Sequence, residues 1–97
     1  MNTEIAKEIA NQIGHKAFCM LGAKNYGAGE NYLSFRIGKN AKKVNYVKIT
    51  LNGLDLYDVE YGRVYNLKYT VKSTENNLYF DMLHGSIEKN TSMYTSL

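Results

Sequence analysis

Between residues 44 and 72 apolar and polar side chains alternate in three consecutive runs. In VNYVKITL (44–51), Val47, Ile49 and Leu51 fall on one side and Tyr46, Lys48 and Thr50 on the other. In DLYDVEY (55–61), Tyr57, Val59 and Tyr61 form an apolar side, opposite the acidic Asp58 and Glu60. In YNLKYTVK (65–72), Tyr65, Leu67, Tyr69 and Val71 are expected to face inward, with Asn66, Lys68, Thr70 and Lys72 outward. A period of two predicts half-buried antiparallel strands. A meander sets the acidic strand between two lysine-bearing ones. Asp58 and Glu60 are then each expected to face a lysine, worth roughly 0.2–1 kcal/mol per pair.

Elsewhere the period changes. Ile5, Ile9 and Ile13, with Ala6 and Ala10 beside them, form a stripe suited to one side of a short helix. Asn2 or Thr3 suits its N-cap, Glu4 complements its dipole and Gly14 suits its end. AFCML (17–21) is apolar throughout and predicts a strand covered on both sides. Three glycines and two asparagines in GAKNYGAGEN (22–31) predict a turn or loop. Leu33, Phe35 and Ile37 alternate with Tyr32, Ser34 and Arg36 as the next strand, and Gly38 to Lys43 is a basic connection into the meander. Asn52-Gly53 suits a tight turn, lengthened by Leu54-Asp55. Past Lys72, Ser73 or Thr74 is expected to cap a second helix, with Glu75 in its first turn. Leu78, Tyr79, Met82 and Leu83 supply its buried side, and Gly85 weakens it. The tail 91–97 either packs through Met93 and Tyr94 or frays. The expected fold class is α+β: a single domain over 1–97 with an antiparallel five-stranded sheet and an N-terminal and a C-terminal helix packed on one face, in the order α-β-β-β-β-β-α.

Ninety-seven residues suffice for one core. An apolar content of 44% and a charged content of 22%, with alternating strands, exclude a disordered chain. No apolar run approaches the roughly 20 residues of a membrane span. The start MNTEIAKEIA, with Glu4 and Glu8, does not read as a signal peptide. Cys19, the lone cysteine, allows no internal disulfide and fits a cytoplasmic setting. The net charge of +3 conceals a segregation: residues 9–54 hold seven cations against the single acid Glu30.

Catalytic constellations weaken on inspection. The stretch from Gly22 to Gly27 resembles a phosphate loop, but Ala28 stands where the lysine is required, and a strand follows where a helix should. His15 and Cys19, four apart on a strand, would sit roughly 13 Å from each other, too far to share a metal ion. Cys19 reads as a small core residue and His84 as a surface or boundary histidine. Asp58 and Glu60 read as rungs of a charge ladder, because flanking lysines oppose the raised pKa that acid–base work needs. No catalytic residue, metal site or cofactor is expected.

The sharper candidate is the basic segment of Arg36, Lys39, Lys42 and Lys43 with Lys24 nearby, joined by Tyr26 and Tyr32 as stacking surfaces. Lysines on loops meet phosphates, and tyrosines stack on exposed bases or pack on a protein partner. No helix shows the arginine and asparagine pattern of a duplex-reading recognition helix.

The succession GAKN at 22–25, ENYLSF at 30–35, NYVKITLN at 45–52, DLYDVEYG at 55–62 and the ending TSMYTSL is similar to a family of short proteins encoded by bacteriophages and integrated mobile elements. The similarity spans about Ile9 to Leu97. The family ending has glycine and leucine where Ser92 and Met93 stand. It implies a viral or mobile-element setting and carries no functional residue across. The expectation is a non-enzymatic accessory protein, placed in the host cytoplasm, that binds nucleic acid or a host defence nucleoprotein complex and inhibits it. The alternatives are a protein sequestering a nucleotide signal and a structural virion or assembly component.

Overall fold

The computed structural model describes residues 4–38, 40 and 42–93. Two helices, α1 (Glu4–Ile13) and α2 (His15–Leu21), precede strands β1 (Lys24–Ala28), β2 (Tyr32–Arg36), β3 (Tyr46–Leu51), β4 (Tyr57–Tyr65) and β5 (Lys68–Leu78). A short 3-10 turn, Phe80–Met82, leads into α3 (Leu83–Thr91). The strands form one antiparallel sheet in sequence order, so every connection is a hairpin. Among the described residues no helix is long and apolar enough to cross a membrane.

The expected α+β meander is present, with its first strand displaced. Residues 17–21 are helical: five apolar residues fit a covered strand or a short helix equally well, and burial decides. Ala17 and Leu21, four apart, are buried, while His15, Lys16 and Cys19 are exposed. Gly14, at φ +89°, breaks the chain between α1 and α2. Gly22, at φ +65°, ends α2 by donating its N–H to the Cys19 carbonyl, as a left-handed helix end requires. Cys19 is therefore on the surface, not in the core, and its Sγ lies 3.4 Å from His15 Nε2. The expected loop is itself β1, bulged at Asn25, and only residues 29–31 remain as the turn. Gly29 is needed there because any Cβ would strike the Tyr32 ring.

All three helices cover one face. Ala6, Ile9 and Ile13 from α1, Ala17 and Leu21 from α2, and Leu83 and Ile87 from α3 pack with Leu33, Phe35, Val47, Ile49, Val59 and Tyr61. Fully burying each large side chain contributes roughly 1.5–3 kcal/mol. Polar groups fix the seating of α3. Tyr61 Oη and Ser86 Oγ are 2.7 Å apart, Ser86 also donates to the Glu75 carboxylate, and Lys89 Nζ lies 3.2 Å from Glu75 Oε1. Burial pushes the Tyr61 phenol far above its ordinary pKa. The Ser86 bond, then Lys89, holds the Glu75 carboxyl below the usual range against partial desolvation. His84 sits at the boundary, its Nε2 2.6 Å from the Ile13 carbonyl. Met93 packs on the core, whereas Asn2, Thr3 and Tyr94 lie outside the described residues.

The C-terminal third departs most from expectation. The strand does not end at Lys72 but runs to Leu78, so Ser73 and Thr74 cap no helix and Glu75 is a strand residue. Tyr79 and Met82 are exposed, and only Leu78 and Leu83 of the expected helix face are buried. Asn66 and Leu67, at φ +50° and +65°, form a two-residue turn of the primed type between β4 and β5. A leucine in that left-handed region costs on the order of 1 kcal/mol relative to glycine. A bulge at Lys72, between the pairs Tyr61↔Ser73 and Gly62↔Val71, shifts the alternation. Tyr69 and Val71 consequently point away from the helices, and Tyr65, Leu67, Tyr69 and Val71 are all exposed.

The charge ladder is present only as register. Lys48 stands opposite Glu60 but lies over the Tyr32 ring while Glu60 accepts from Tyr69, and no ion pair joins the two; Asp58 stands opposite Thr50. Asp58 Oδ1 instead accepts from the Asn77 N–H and from Asn52 Nδ2, both at 3.0 Å, which secures the 52–56 connection against the second bulge of β5.

Candidate nucleic-acid interface

The last rung between β3 and β4 is Tyr46↔Gly62. Past it, residues 63–70 of the β4–β5 hairpin continue as an arm reaching roughly 10 Å beyond the sheet at ~3.3 Å per residue. What supports the arm is the loop before β3. Asn45 donates from Nδ2 to the Val64 carbonyl at 2.9 Å and accepts the Val64 N–H on Oδ1 at 2.8 Å, a side-chain amide standing in for a missing strand residue. Asn40 does the same within the loop: Nδ2 donates to the carbonyls of Gly38 (3.0 Å) and Val44 (2.5 Å), and Oδ1 accepts the Val44 N–H (3.1 Å). Val44 is buried beneath it, and Lys43, at φ +59°, is turned out to solvent.

Loop and arm enclose a groove of about 500 Å3 lined by Asn40, Lys43, Val44, Asn45, Arg63 and Tyr65. Arg63 and Tyr65 continue the side of β4 that Tyr61 gives to the core. The Arg63 guanidinium lies 5.1 Å from the centre of the Tyr65 ring, an arrangement that orients both groups at a cost lower than either alone. Tyr65 remains 62% exposed, so most of its ring is available.

Pairing of the strands also concentrates charge. Residues 31–54 and 61–74 contain eight of the twelve cations and none of the nine acids. The β3–β4 ladder and Asn45 bring these two stretches together at the arm end of the sheet. At the other end of β3, a hollow is lined by Glu8 and Asp55 among others, and Asp58 and Asp81 lie on the adjoining elements. Cations are thus denser toward the arm end of the sheet than toward the other end.

The residues expected from sequence to act together are divided by the fold. Lys43 lines the groove, and Lys42, its neighbour in the chain, is exposed; Lys39 lies outside the described residues. Lys24 and Arg36 face each other across β1 and β2 on the surface opposite the helices, and Arg36 is in turn opposite Tyr46. Two like charges at opposed positions repel and are tolerated here because both side chains reach solvent. Tyr26 rests one edge on Phe18 at 5.5 Å and lies near Phe35 at 6.2 Å, yet stays 55% exposed. Tyr32 sits at the far end of β2 from Arg36, with Lys48 Nζ 4.6 Å above its ring. The aromatic beside the basic loop is Tyr65. Sequence reading missed it and Arg63, although the run without acids from Tyr61 to Thr74 was a visible signal.

On the outer face Tyr69 folds over Gly62, whose missing Cβ makes room for the ring. Its hydroxyl donates to Glu60 at 2.5 Å and its ring meets Tyr46 edge-on at 5.3 Å. Burial, and then the bonded Glu60 carboxylate, push this phenol far above its ordinary pKa. Glu60 is thereby occupied, consistent with a structural role. The stretch from Gly22 to Gly27 is a helix end and a strand, not a phosphate cradle. Among the described residues no three His, Cys, Asp or Glu side chains gather as a metal site. Comparison with models of protein families, with curated proteins and with solved structures finds no match to this chain.

Proposed function

We propose that this chain is a non-enzymatic nucleic-acid-binding accessory protein that grips phosphates with Lys42, Lys43 and Arg63 and offers Tyr65 to a base or sugar. The observation that carries the reading is the groove itself: cations and an exposed aromatic ring, held by Asn40 and Asn45, at an end of the fold whose two contributing segments contain no acid. Guanidinium and ammonium groups on a preformed surface release counterions from a polyanion, and an exposed ring adds stacking without demanding a sequence. The bacteriophage or mobile-element setting implied by the sequence resemblance makes a host nucleic acid or defence nucleoprotein complex the natural target, with inhibition by occupancy. A patch of ordinary size, roughly 800 Å2 per partner, is within reach of a chain this small.

Fluorescence anisotropy with labelled single-stranded and duplex oligonucleotides, repeated across salt concentrations, tests the reading. Replacing Lys42, Lys43 and Arg63 together by alanine is expected to weaken binding more than ten-fold. It should also flatten the slope of log affinity against log salt by about 2–3, the contribution of three phosphate contacts. Lys7→Ala, on the exposed side of α1, is the control and should change neither quantity. Equal affinity and slope for the triple variant and the unmodified protein would remove the groove from consideration.

A further inference from the structure

We propose that Leu67, at the tip of the β4–β5 arm, is a wedge that enters between stacked bases of a DNA duplex while Arg63, Lys68 and Lys72 hold the phosphates on either side. The inference rests on the nucleic-acid reading above and specifies its mode. Leu67 is 103% exposed, so no contact within the fold accounts for an apolar side chain there. Its φ of +65° is a conformation in which glycine is the unstrained choice after asparagine, and the turn would be better made without it. A residue that is both strained and fully presented to solvent implies a use outside the fold.

Surroundings of the tip select the occupant. The arm carries Arg63 and Lys68, Lys72 stands at its base, and the stretch from Tyr61 to Thr74 holds no acid, so what receives Leu67 is a polyanion in preference to a neutral apolar pocket. Tyr65, Tyr69 and Val71 widen the apolar surface immediately behind the tip. An arm of roughly 10 Å reaches the floor of a minor groove about 7.5 Å deep, where apolar side chains of other proteins unstack base steps. The turn is two residues wide, so Leu67 leads and the bulkier strands follow only as the groove opens. Pyrimidine–purine steps, the easiest to unstack, are the expected point of entry.

The test uses the full chain and a short duplex with one central TA step whose adenine is 2-aminopurine, a base that brightens when unstacked. The unmodified protein is expected to raise the fluorescence several-fold on saturation. Leu67→Gly should abolish the rise and weaken binding about ten-fold while raising Tm by a few degrees, because the turn is relieved of strain. Leu67→Met, which keeps a long apolar side chain, should restore most of the signal. Tight binding by the unmodified protein with no brightening overturns the wedge and leaves phosphate binding intact, as does a Leu67→Gly variant that brightens the probe equally. Absence of any binding to duplex or single strand overturns the nucleic-acid reading itself. Affinity for a protein that is insensitive to salt and lost in Leu67→Gly assigns the tip to an apolar pocket and overturns the wedge.

Discussion

Asn45 is the residue on which both the arm and the groove depend, and Asn45→Ala is the perturbation that exposes this. Its amide makes two hydrogen bonds to the backbone of Val64, at 2.9 and 2.8 Å, across nineteen residues of sequence. A net contribution of about 0.5–1.5 kcal/mol per bond sets the loss between about 1 and 3 kcal/mol. Asn45 and Val64 are only partly buried, so water replaces some of what is lost and the lower half of that range applies. A loss of about 1.5 kcal/mol in a chain of this length corresponds to a fall in Tm of about 6–12 °C. Urea titration followed by circular dichroism measures the stability, and hydrogen exchange at the Val64 amide measures the local opening. Asn45→Asp keeps the acceptor for the Val64 N–H but sets a carboxylate against the Val64 carbonyl, so it should be no better than alanine. Affinity for oligonucleotide should drop in both variants, since Arg63 and Tyr65 lose their fixed position opposite Lys43. If Asn45→Ala leaves stability, Val64 exchange and affinity all unchanged, the arm is not held by this side chain and Arg63 and Tyr65 are not positioned by it.

Three further outcomes are expected. Gly62→Ala places a methyl where the outer end of the exposed Tyr69 ring lies, so the ring swings aside and the loss is that of its bond to Glu60, about 0.5–1.5 kcal/mol; the displaced phenol should titrate nearer its ordinary pKa of 10.0. Glu75 is held below its ordinary pKa of 4.5 in the folded state, so the unfolded chain takes up that proton first as pH falls. Its share of stability is full above about pH 4.5 and is lost as pH falls through the depressed value, and Ser86→Ala, which removes the largest cause, should flatten urea-derived stability across that window. Cys19, exposed on α2, should react with a thiol reagent in the native protein as fast as in the denatured one. A thiol silent until unfolding contradicts the helical assignment of 15–21.

How far the fold was legible in the sequence depends on how long each pattern runs. Val47, Ile49, Val59 and Tyr61 alternate over two adjoining strands, and tertiary packing only confirms them. Ile5, Ile9 and Ile13 span the whole of α1, and they too face the core as the spacing demands, Ile5 partly. The run from Ala17 to Leu21 is too short to hold a period, and its polar side is supplied by His15 and Lys16, outside the apolar segment. Tyr65, Leu67, Tyr69 and Val71 alternate like a buried face, yet the asparagine–leucine turn and the bulge at Lys72 reset the phase twice within eight residues. Turn propensity pointed to glycine, and no glycine marks that turn. Lysines 42 and 43 were identifiable as solvent-facing from composition alone. Their partners Arg63 and Tyr65 were not, because what joins them is the pairing of Asn45 with Val64, a contact without a local signature.

The most direct test of the central claim is the map of backbone amide shifts when an oligonucleotide duplex is titrated into the isotopically labelled protein. Changes are expected to concentrate at residues 40–45 and 62–72, to extend to Lys24 and Arg36, and to spare Leu51 to Tyr57 and Leu78 to Met82 at the other end of the sheet. Shifts centred on α3 or on the Glu8–Asp55 hollow, with the arm unmoved, contradict that claim.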